Sequence, residues 1–216
     1  HAANNPNFRR IIVVLPYTTI IDQTAKVYRE IVGSDNLLEH HSAKDSEKDG
    51  DAEKRYQLAA ENWNTPVIIT TQVQFFESLF SNRPSACRKL HQISNSIIIF
   101  DEVQTLTGYL LRPLLNMVNE LCQTMGCTAV LSTATPNSLG IAGSKLGIPG
   151  WNPKEIIGDP SSLSRDMRRV NIAMPENYST PTPLSVIAAE MAGHKQTLCI
   201  VNRMDDAEDL YRRLPE

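Results

Sequence analysis

The residues I-I-I-F-D-E-V-Q occupy positions 97–104 and indicate both the class of the fold and the position of its functional site. Four consecutive large apolar residues, three of them β-branched, predict a strand that is buried on both faces. Asp101 and Glu102 follow where this strand leaves the sheet. In open parallel sheets ligands bind outside the carboxyl ends of the strands, where an aspartate can hold Mg²⁺ and a glutamate can orient a water that attacks a phosphate. The alternative is that both carboxylates only cap the helix that follows.

Three further apolar runs, at positions 11–15, 67–69 and 128–131, predict additional buried strands. Residues 34–52 are predicted to form a loop that contains a charged insertion. Helical periodicity predicts helices over roughly residues 20–32, 52–63, 85–92 and 109–124, and a further helix that carries Val73, Phe75, Phe76, Leu79 and Phe80. The aromatic residues of this helix recur at helical spacing and are predicted to be core residues rather than platforms for base stacking. This alternation of strands and helices predicts an α/β fold with a parallel sheet and right-handed crossovers.

The last third of the chain predicts the start of a second unit. Residues 168–173 are predicted as a further strand, and residues 175–183 contain three prolines and are predicted as a linker. Beyond the linker we expect a helix over roughly residues 184–193, a strand at 197–203, and a helix from about 205 to 214. The predicted domains are therefore 1–174 and the beginning of a second one at 184–216.

Composition excludes few classes of protein. The 216 residues are 41% hydrophobic, which permits a packed core, and the net charge of −3 neither indicates nor excludes nucleic acid, since a motor can grip a phosphate backbone locally. The chain has neither a signal peptide pattern nor an apolar run of membrane-spanning length. Its four cysteines show poor spacing for zinc and are predicted to be free thiols of a cytoplasmic protein.

Two local patterns leave alternatives open. Thr18 or Thr19 can cap the helix over residues 20–32, or that helix N-terminus can bind a phosphate. Glu39, His40 and His41 offer metal-binding atoms, but adjacent histidines point apart on a strand and the sequence spaces no third ligand to join them. A metal site there is therefore not predicted.

Small polar or acidic residues follow all four predicted buried strands. They are Y-T-T at 17–19, T-T-Q at 70–72, D-E at 101–102 and S-T-A-T at 132–135. Because the carboxyl ends of parallel strands meet at one edge of a sheet, we expect a polar rim there, where α/β enzymes work. A dinucleotide oxidoreductase would use the same edge, but the sequence has no G-x-G-x-x-G.

At these same positions the chain resembles a known family. The order P-Y-T-T, T-T-Q, D-E-V-Q, S-T-A-T is similar to motifs Ia, Ib–Ic, II and III of superfamily-two helicases. Longer stretches look like the CRISPR-associated helicase of type I CRISPR systems, and they are VLPYTTIIDQ (14–23), LEHHS (38–42), ITTQVQFFESLFS (69–81), IIFDEVQTL (98–106) and LSTATP (131–136). The resemblance covers residues 9–216.

The resemblance implies a RecA-like parallel sheet, followed by the truncated start of a second RecA-like domain. It implies a motor that uses ATP and Mg²⁺ to translocate on single-stranded DNA. The motor would work with an HD-type nuclease domain, in the same or a separate chain, and an RNA-guided CRISPR surveillance complex would recruit it.

The resemblance also assigns roles by position. Asp101 would hold Mg²⁺ together with the nucleotide phosphates, Glu102 would polarise the hydrolytic water, and Gln104 would join nucleotide binding. The residues that couple nucleotide state to DNA contact would be Ser132, Thr133, Ala134 and Thr135. The residues that contact DNA would be Pro16, Tyr17, Thr18, Thr70, Thr71 and Gln72, with Asn202 and Arg203 in the second domain.

The chain also departs from the family pattern. It contains no G-x-x-x-x-G-K-[ST], the loop whose backbone and lysine cradle nucleotide phosphates. We therefore expect a fragment whose isolated ATP turnover is undetectable. Three alternatives stay open: a non-catalytic RecA-like piece that binds nucleic acid or a partner, a restriction-type translocase, and an RNA helicase.

Overall fold

Five parallel strands form one sheet in the first part of the chain. The structure is a computed structural model that describes residues 7–41, 51–106, 108–133, 145–174 and 180–214. The strands are β1 (Arg10–Leu15), β2 (Leu37–His40), β3 (Val67–Thr71), β4 (Ser96–Phe100) and β5 (Thr128–Leu131). The helices of this part are α1 (Ile21–Val32), α2 (Asp51–Asn62), α3 (Gln72–Phe80), α4 (Pro84–Cys87), α5 (Leu90–Ile93) and α6 (Leu111–Thr124). The predicted α/β fold with a parallel sheet flanked by helices is confirmed.

The strand order β2-β3-β1-β4-β5 places β1 at the centre. The chain first fills one side of β1 with β2 and β3, and then fills the other side with β4 and β5. In register, Leu15 at the end of β1 lies beside Thr71, and Val14 lies beside Phe100. The carboxyl ends of β3, β1 and β4 are therefore neighbours, and the strand order changes direction between β1 and β4, which is where α/β sheets bind ligands.

Successive residues of β1 enter two different apolar clusters. Ile12 and Val14 belong to a large cluster on one face, and Val13 and Leu15 belong to a smaller one on the other. This period of two is the geometry of a strand covered on both faces. β1 therefore forms a strand that buries side chains in both directions. The prediction that residues 128–131 form a buried strand is wrong in its burial, because β5 lies at the edge of the sheet and its residues are exposed or half-buried.

Aromatic side chains of α3 pack on the sheet, as predicted. Phe75 lies edge-on to Phe100 of β4 with ring centroids 5.3 Å apart, and it stacks against Trp63. Phe75 and Phe76 are buried. Phe80 is exposed, so the prediction that it is a core residue is wrong; its ring stacks against Phe76 at the end of the helix.

The prediction of a loop over residues 34–52 is wrong for residues 37–40, which form β2. Glu39 and His40 conceal this strand in the sequence, because charged residues are rare in buried strands. In the structure Glu39 is buried and forms an ion pair with Arg29 of α1, and β2 pairs with β3 along its length. The ion pair and the hydrogen bonds between β2 and β3 together offset the free-energy cost of burying the Glu39 carboxylate.

Three smaller predictions also need correction. The fully buried positions of β4 alternate with half-buried Ile97 and Ile99, because α1 packs nearest β2 and β3. The single helix expected over residues 85–92 is two short helices, α4 and α5. Neither Thr18 nor Thr19 caps α1, because both lie inside a 3₁₀ turn that leads into it.

Residues 156–216 form a second compact unit, whose helices are α7 (Pro160–Asp166), α8 (Leu184–Ala192) and α9 (Met204–Arg213). Residues 168–173 and 197–203 have no regular secondary structure, so the predicted strands there are wrong. A strand needs a neighbour to hydrogen-bond with, and the described residues of this unit offer none. The domain boundaries at 174 and 184 stay predictions.

None of the helices in the described parts of the chain combines the length and apolar character that a membrane span requires.

Candidate functional site

Asp101 lies at the junction of β4 and β1. Its backbone N–H donates to the carbonyl oxygen of Val14 at 3.0 Å, so β1 fixes the point at which the chain leaves the sheet. Its Oδ1 accepts a hydrogen bond from the backbone N–H of Glu102 at 3.1 Å. The half-buried carboxylate is therefore held by its own backbone, and the residue lies at the sheet edge where the strand order changes direction.

Glu102 adopts a left-handed backbone conformation, with φ 48° and ψ 46°. This region is uncommon for a residue other than glycine and costs about 1–3 kcal/mol, which is a feature of functional loops. The side chain of Gln104 donates a hydrogen bond to Oε2 of Glu102. The turn therefore directs the Glu102 carboxylate by backbone conformation and by a side-chain partner.

The alternative in which the two carboxylates only cap a helix does not match this geometry. The segment after them is a 3₁₀ turn, Val103–Thr105, and the side chain of Glu102 makes no capping hydrogen bond to it. Asp101 accepts from the adjacent residue rather than from a later N–H of that turn.

The end of β5 is hydrogen-bonded to this loop. The Ser132 N–H donates to the carbonyl of Phe100 at 2.8 Å, and the Ser132 carbonyl accepts from the Val103 N–H at 3.0 Å. The predicted coupling residue Ser132 therefore lies beside Glu102, and Thr133 follows it. Ala134 and Thr135 lie outside the described residues.

Four of the predicted nucleic-acid-binding residues line one pocket of about 520 Å³ at the carboxyl edge of the sheet. They are Pro16, Tyr17, Thr18 and Thr71. The pocket is bounded on its other side by residues of α3, including Gln74 and Glu77. The structure therefore brings together residues that are far apart in sequence, as the expected polar rim requires.

The two threonines that end β3 have structural partners. Thr70 is fully buried, and its hydroxyl donates to the carbonyl of His40 at 2.8 Å, which ties β3 to β2. Thr71 caps α3, since its hydroxyl oxygen accepts from the Gln74 N–H at 3.2 Å. Their assignment to DNA binding stays a prediction, and the structure assigns both hydroxyls to the protein itself.

Thr105 is a site residue that the sequence analysis missed. Its hydroxyl lies 2.9 Å from Nε2 of Gln72 and 2.8 Å from the carbonyl oxygen of Glu102. The signal that could have revealed it is its position three residues after Glu102, because the hydrogen bonds of a 3₁₀ turn join residues that are three positions apart.

Asn202 and Arg203 belong to the second unit, immediately before α9. Arg203 pairs with Asp205 at 3.2 Å, and both side chains are exposed. Their DNA role stays a prediction.

A third potential ligand does join Glu39 and His41. Asp22 of α1 approaches them, and one ligand atom from each of the three residues lies within 4.8 Å of the others. The sequence analysis missed Asp22 because it is far away along the chain. Glu39, however, already has a cation beside it in the guanidinium of Arg29.

His40 points into the core instead. It accepts a hydrogen bond at Nδ1 from Nε1 of Trp63 at 3.3 Å, and Lys89 lies over the Trp63 ring. Burial lowers the pKa of His40 to about 3, and the charges of Lys89 and His41 act in the same direction. His40 is therefore neutral at physiological pH.

The loop of residues 101–104 offers oxygen atoms of the type that bind Mg²⁺. Asp101 and Glu102 contribute half-buried carboxylate oxygens. Oε1 of Gln104 is buried and has no hydrogen-bond partner among the described residues. Magnesium prefers oxygen ligands and keeps several of its waters, so the carboxylates of this loop are of the kind that a hydrated ion uses.

Comparison with known proteins is consistent with this geometry. The family model of the DEAD/DEAH box helicase matches residues 2–139, which is more than half of the chain. The chain is also similar to the CRISPR-associated nuclease/helicase Cas3 of Haloferax volcanii, with 32% identity over 115 residues. That match covers 45% of this chain and only 12% of the relative. The chain belongs to the DEAD/DEAH box helicase family, and its five-stranded parallel sheet is the RecA-like α/β domain of that family.

Proposed function

We propose that this chain is part of an ATP-dependent motor that moves along single-stranded DNA in CRISPR interference. One observation carries the proposal: Asp101 and Glu102 lie at the carboxyl end of β4, where the strand order changes direction, and hydrogen bonds join their loop to β1 and to Ser132. Family membership supports a helicase, and the similarity to a protein named as a CRISPR-associated nuclease/helicase supports the pathway.

In this proposal the nucleotide is bound at the loop of residues 101–104. Asp101 would hold Mg²⁺ and Gln104 would contact its hydration shell or the nucleotide. Glu102 would orient and polarise the attacking water, with Gln104 holding its carboxylate in place. When bound, the ion would neutralise the charge of the phosphates.

The DNA strand would follow the carboxyl edge of the sheet. The pocket at Pro16, Tyr17 and Thr18 is open there, and Tyr17 is 61% exposed, so its ring is available to stack on a base. Stacking and backbone contacts bind single strands without reading their sequence. We also propose an HD-type nuclease domain and an RNA-guided surveillance complex as partners, and the family resemblance is the only support for them.

The test is ATP hydrolysis by the full-length protein that contains this chain, measured with and without single-stranded DNA. We expect hydrolysis that depends on the DNA, and ATP-dependent displacement of a labelled strand. DNA binding without hydrolysis under any condition would instead favour the second candidate, a non-catalytic RecA-like protein. The absence of G-x-x-x-x-G-K-[ST] from these 216 residues favours that candidate for the isolated chain.

Replacement of Tyr17 by alanine is expected to weaken binding of single-stranded DNA about fivefold or more, because base–aromatic stacking contributes roughly 1–3 kcal/mol per base. The loss should be similar for two oligonucleotides of unrelated sequence, measured by fluorescence anisotropy. Tyr109→Ala is the matched control, since Tyr109 is 91% exposed and does not line the pocket. An equal loss in both variants, or a loss for one sequence only, would place the DNA elsewhere.

A further inference from the structure

One hydrogen-bonded chain connects the start of α3 to the loop that carries Glu102. The Gln72 side chain donates from Nε2 to the hydroxyl oxygen of Thr105 at 2.9 Å. The Thr105 hydroxyl is 2.8 Å from the carbonyl oxygen of Glu102, to which it can donate its proton. The Thr105 N–H donates to the same carbonyl at 2.9 Å.

This carbonyl belongs to the residue with the strained backbone. Because Glu102 has φ 48°, the orientation of its peptide groups is held by contacts rather than by conformational preference. Thr105 supplies two of these contacts through one carbonyl oxygen. The N–H of the next residue, Val103, donates to the carbonyl oxygen of Ser132. The Glu102 peptide is therefore held between Thr105 and the end of β5.

The hydroxyl of Thr105 has a second possible acceptor. It lies 3.2 Å from Oε1 of Gln72, so its single proton can be donated either to Gln72 or to Glu102. Gln72 is half-buried and lines a second pocket, of about 890 Å³, together with Phe76 and Leu106, so a ligand that enters this pocket can contact its side chain. A change in the orientation of that amide alters which acceptor the hydroxyl uses.

We propose that Thr105 is a positioning residue that transmits contact at Gln72 to the backbone of Glu102. When Gln72 donates to Thr105, the hydroxyl donates to the Glu102 carbonyl and holds the Glu102 backbone in its DNA-free orientation. When a bound strand takes the Gln72 amide, this link is rearranged, and DNA binding changes the orientation of Glu102. This inference rests on the proposed function, since it assumes that DNA contacts Gln72 and that Glu102 acts on water.

The test in the full-length protein compares Thr105→Val with Thr105→Ser. Valine has the shape of threonine without its hydroxyl, whereas serine retains the hydroxyl. We expect Thr105→Val to lower the stimulation of kcat by single-stranded DNA at least fivefold, with the KM for ATP and the affinity for DNA within twofold of wild type. Thr105→Ser should restore most of the stimulation.

Thr124→Val is the matched control, because the Thr124 hydroxyl also donates to a backbone carbonyl, that of Glu120 at 2.7 Å, but on the exposed face of α6. It should leave the stimulation unchanged. A merely structural role for Thr105 would change stability without changing the ratio of stimulated to basal kcat. If single-stranded DNA stimulates the wild-type protein and stimulates Thr105→Val equally, the inference is overturned while the proposed function stands.

A second measurement does not depend on turnover. Denaturant unfolding of the 216-residue chain in a double-mutant cycle of Gln72→Ala and Thr105→Val measures the coupling of the two side chains. Each mutant lowers the folding equilibrium constant by some factor. We expect the factor for the double mutant to be at least twofold smaller than the product of the factors for the two single mutants. Adding single-stranded DNA should reduce that coupling. Additive effects in the absence of DNA, or a coupling that saturating DNA leaves unchanged, would refute the link even if the protein proves not to hydrolyse ATP.

Discussion

Replacing Glu102 with glutamine in the full-length protein is expected to reduce DNA-dependent ATP turnover by about 10²–10⁴-fold, the usual contribution of a group that handles the proton of an attacking water. Nucleotide binding should persist, because the carboxamide has the same shape and its oxygen can still accept from Gln104. The measurement is steady-state turnover together with ATP titration.

Asp101→Asn should behave differently. A neutral side chain holds Mg²⁺ poorly, so both nucleotide affinity and turnover should fall. Glu120→Gln makes the same chemical change on the exposed face of α6 and should alter neither quantity. Turnover close to wild type in Glu102→Gln would refute the role assigned to Glu102 and would leave the left-handed turn without a catalytic purpose.

Acidification from pH 7.5 to pH 5 is expected to destabilise the chain by about 2 kcal/mol through His40 alone, given an unfolded pKa of about 6.5 and a folded pKa of about 3. Between these two values the unfolded state binds a proton that the folded state excludes. The contribution of the neutral imidazole is therefore complete above pH 6.5, and it is lost progressively as the pH falls through this window.

The measurement is the free energy of unfolding in urea at several pH values. His40→Gln keeps an acceptor for the Trp63 N–H and does not titrate. Between pH 7.5 and pH 5 its free energy of unfolding should therefore fall by about 2 kcal/mol less than that of the wild type. His91→Gln makes the same substitution at an exposed position of α5 and should retain the wild-type pH dependence. An identical pH dependence in His40→Gln and wild type would mean that His40 is not buried as a neutral group.

The sequence predicted the parts of the fold that depend on local pattern. β1, β3 and β4 are runs rich in β-branched residues, and β5 is a short run that contains Thr128 and Val130, so these four strands could be recognised. The exposure of β5 could not be recognised, because it follows from its position at the edge of the sheet. The fifth strand, β2, could not be recognised. Its Glu39 is stabilised by Arg29, and that partnership exists only after α1 has packed against the strand.

The same distinction holds for the candidate site. Asp101 and Glu102 could be placed because they directly follow a strand, and their position at the sheet edge is confirmed. The roles of Thr70 and Thr105 depend on partners 30 and 33 residues away, so periodicity contains no information about them. The strand expected at residues 197–203 was wrong for the related reason that an apolar run becomes a strand only beside another strand.

The central position of β1 has a consequence for synthesis on the ribosome. β1 emerges before the other four described strands, and both of its neighbours are encoded later: Ile11 pairs with Val67 on one side and with Ile97 on the other. Until β4 has emerged, the nascent chain exposes an unpaired apolar strand edge, which is a template for association with other chains. The contacts that close the sheet have large sequence separations, and such topologies fold slowly. We therefore expect any protection of this edge by chaperones to be needed between the emergence of β1 and that of β4.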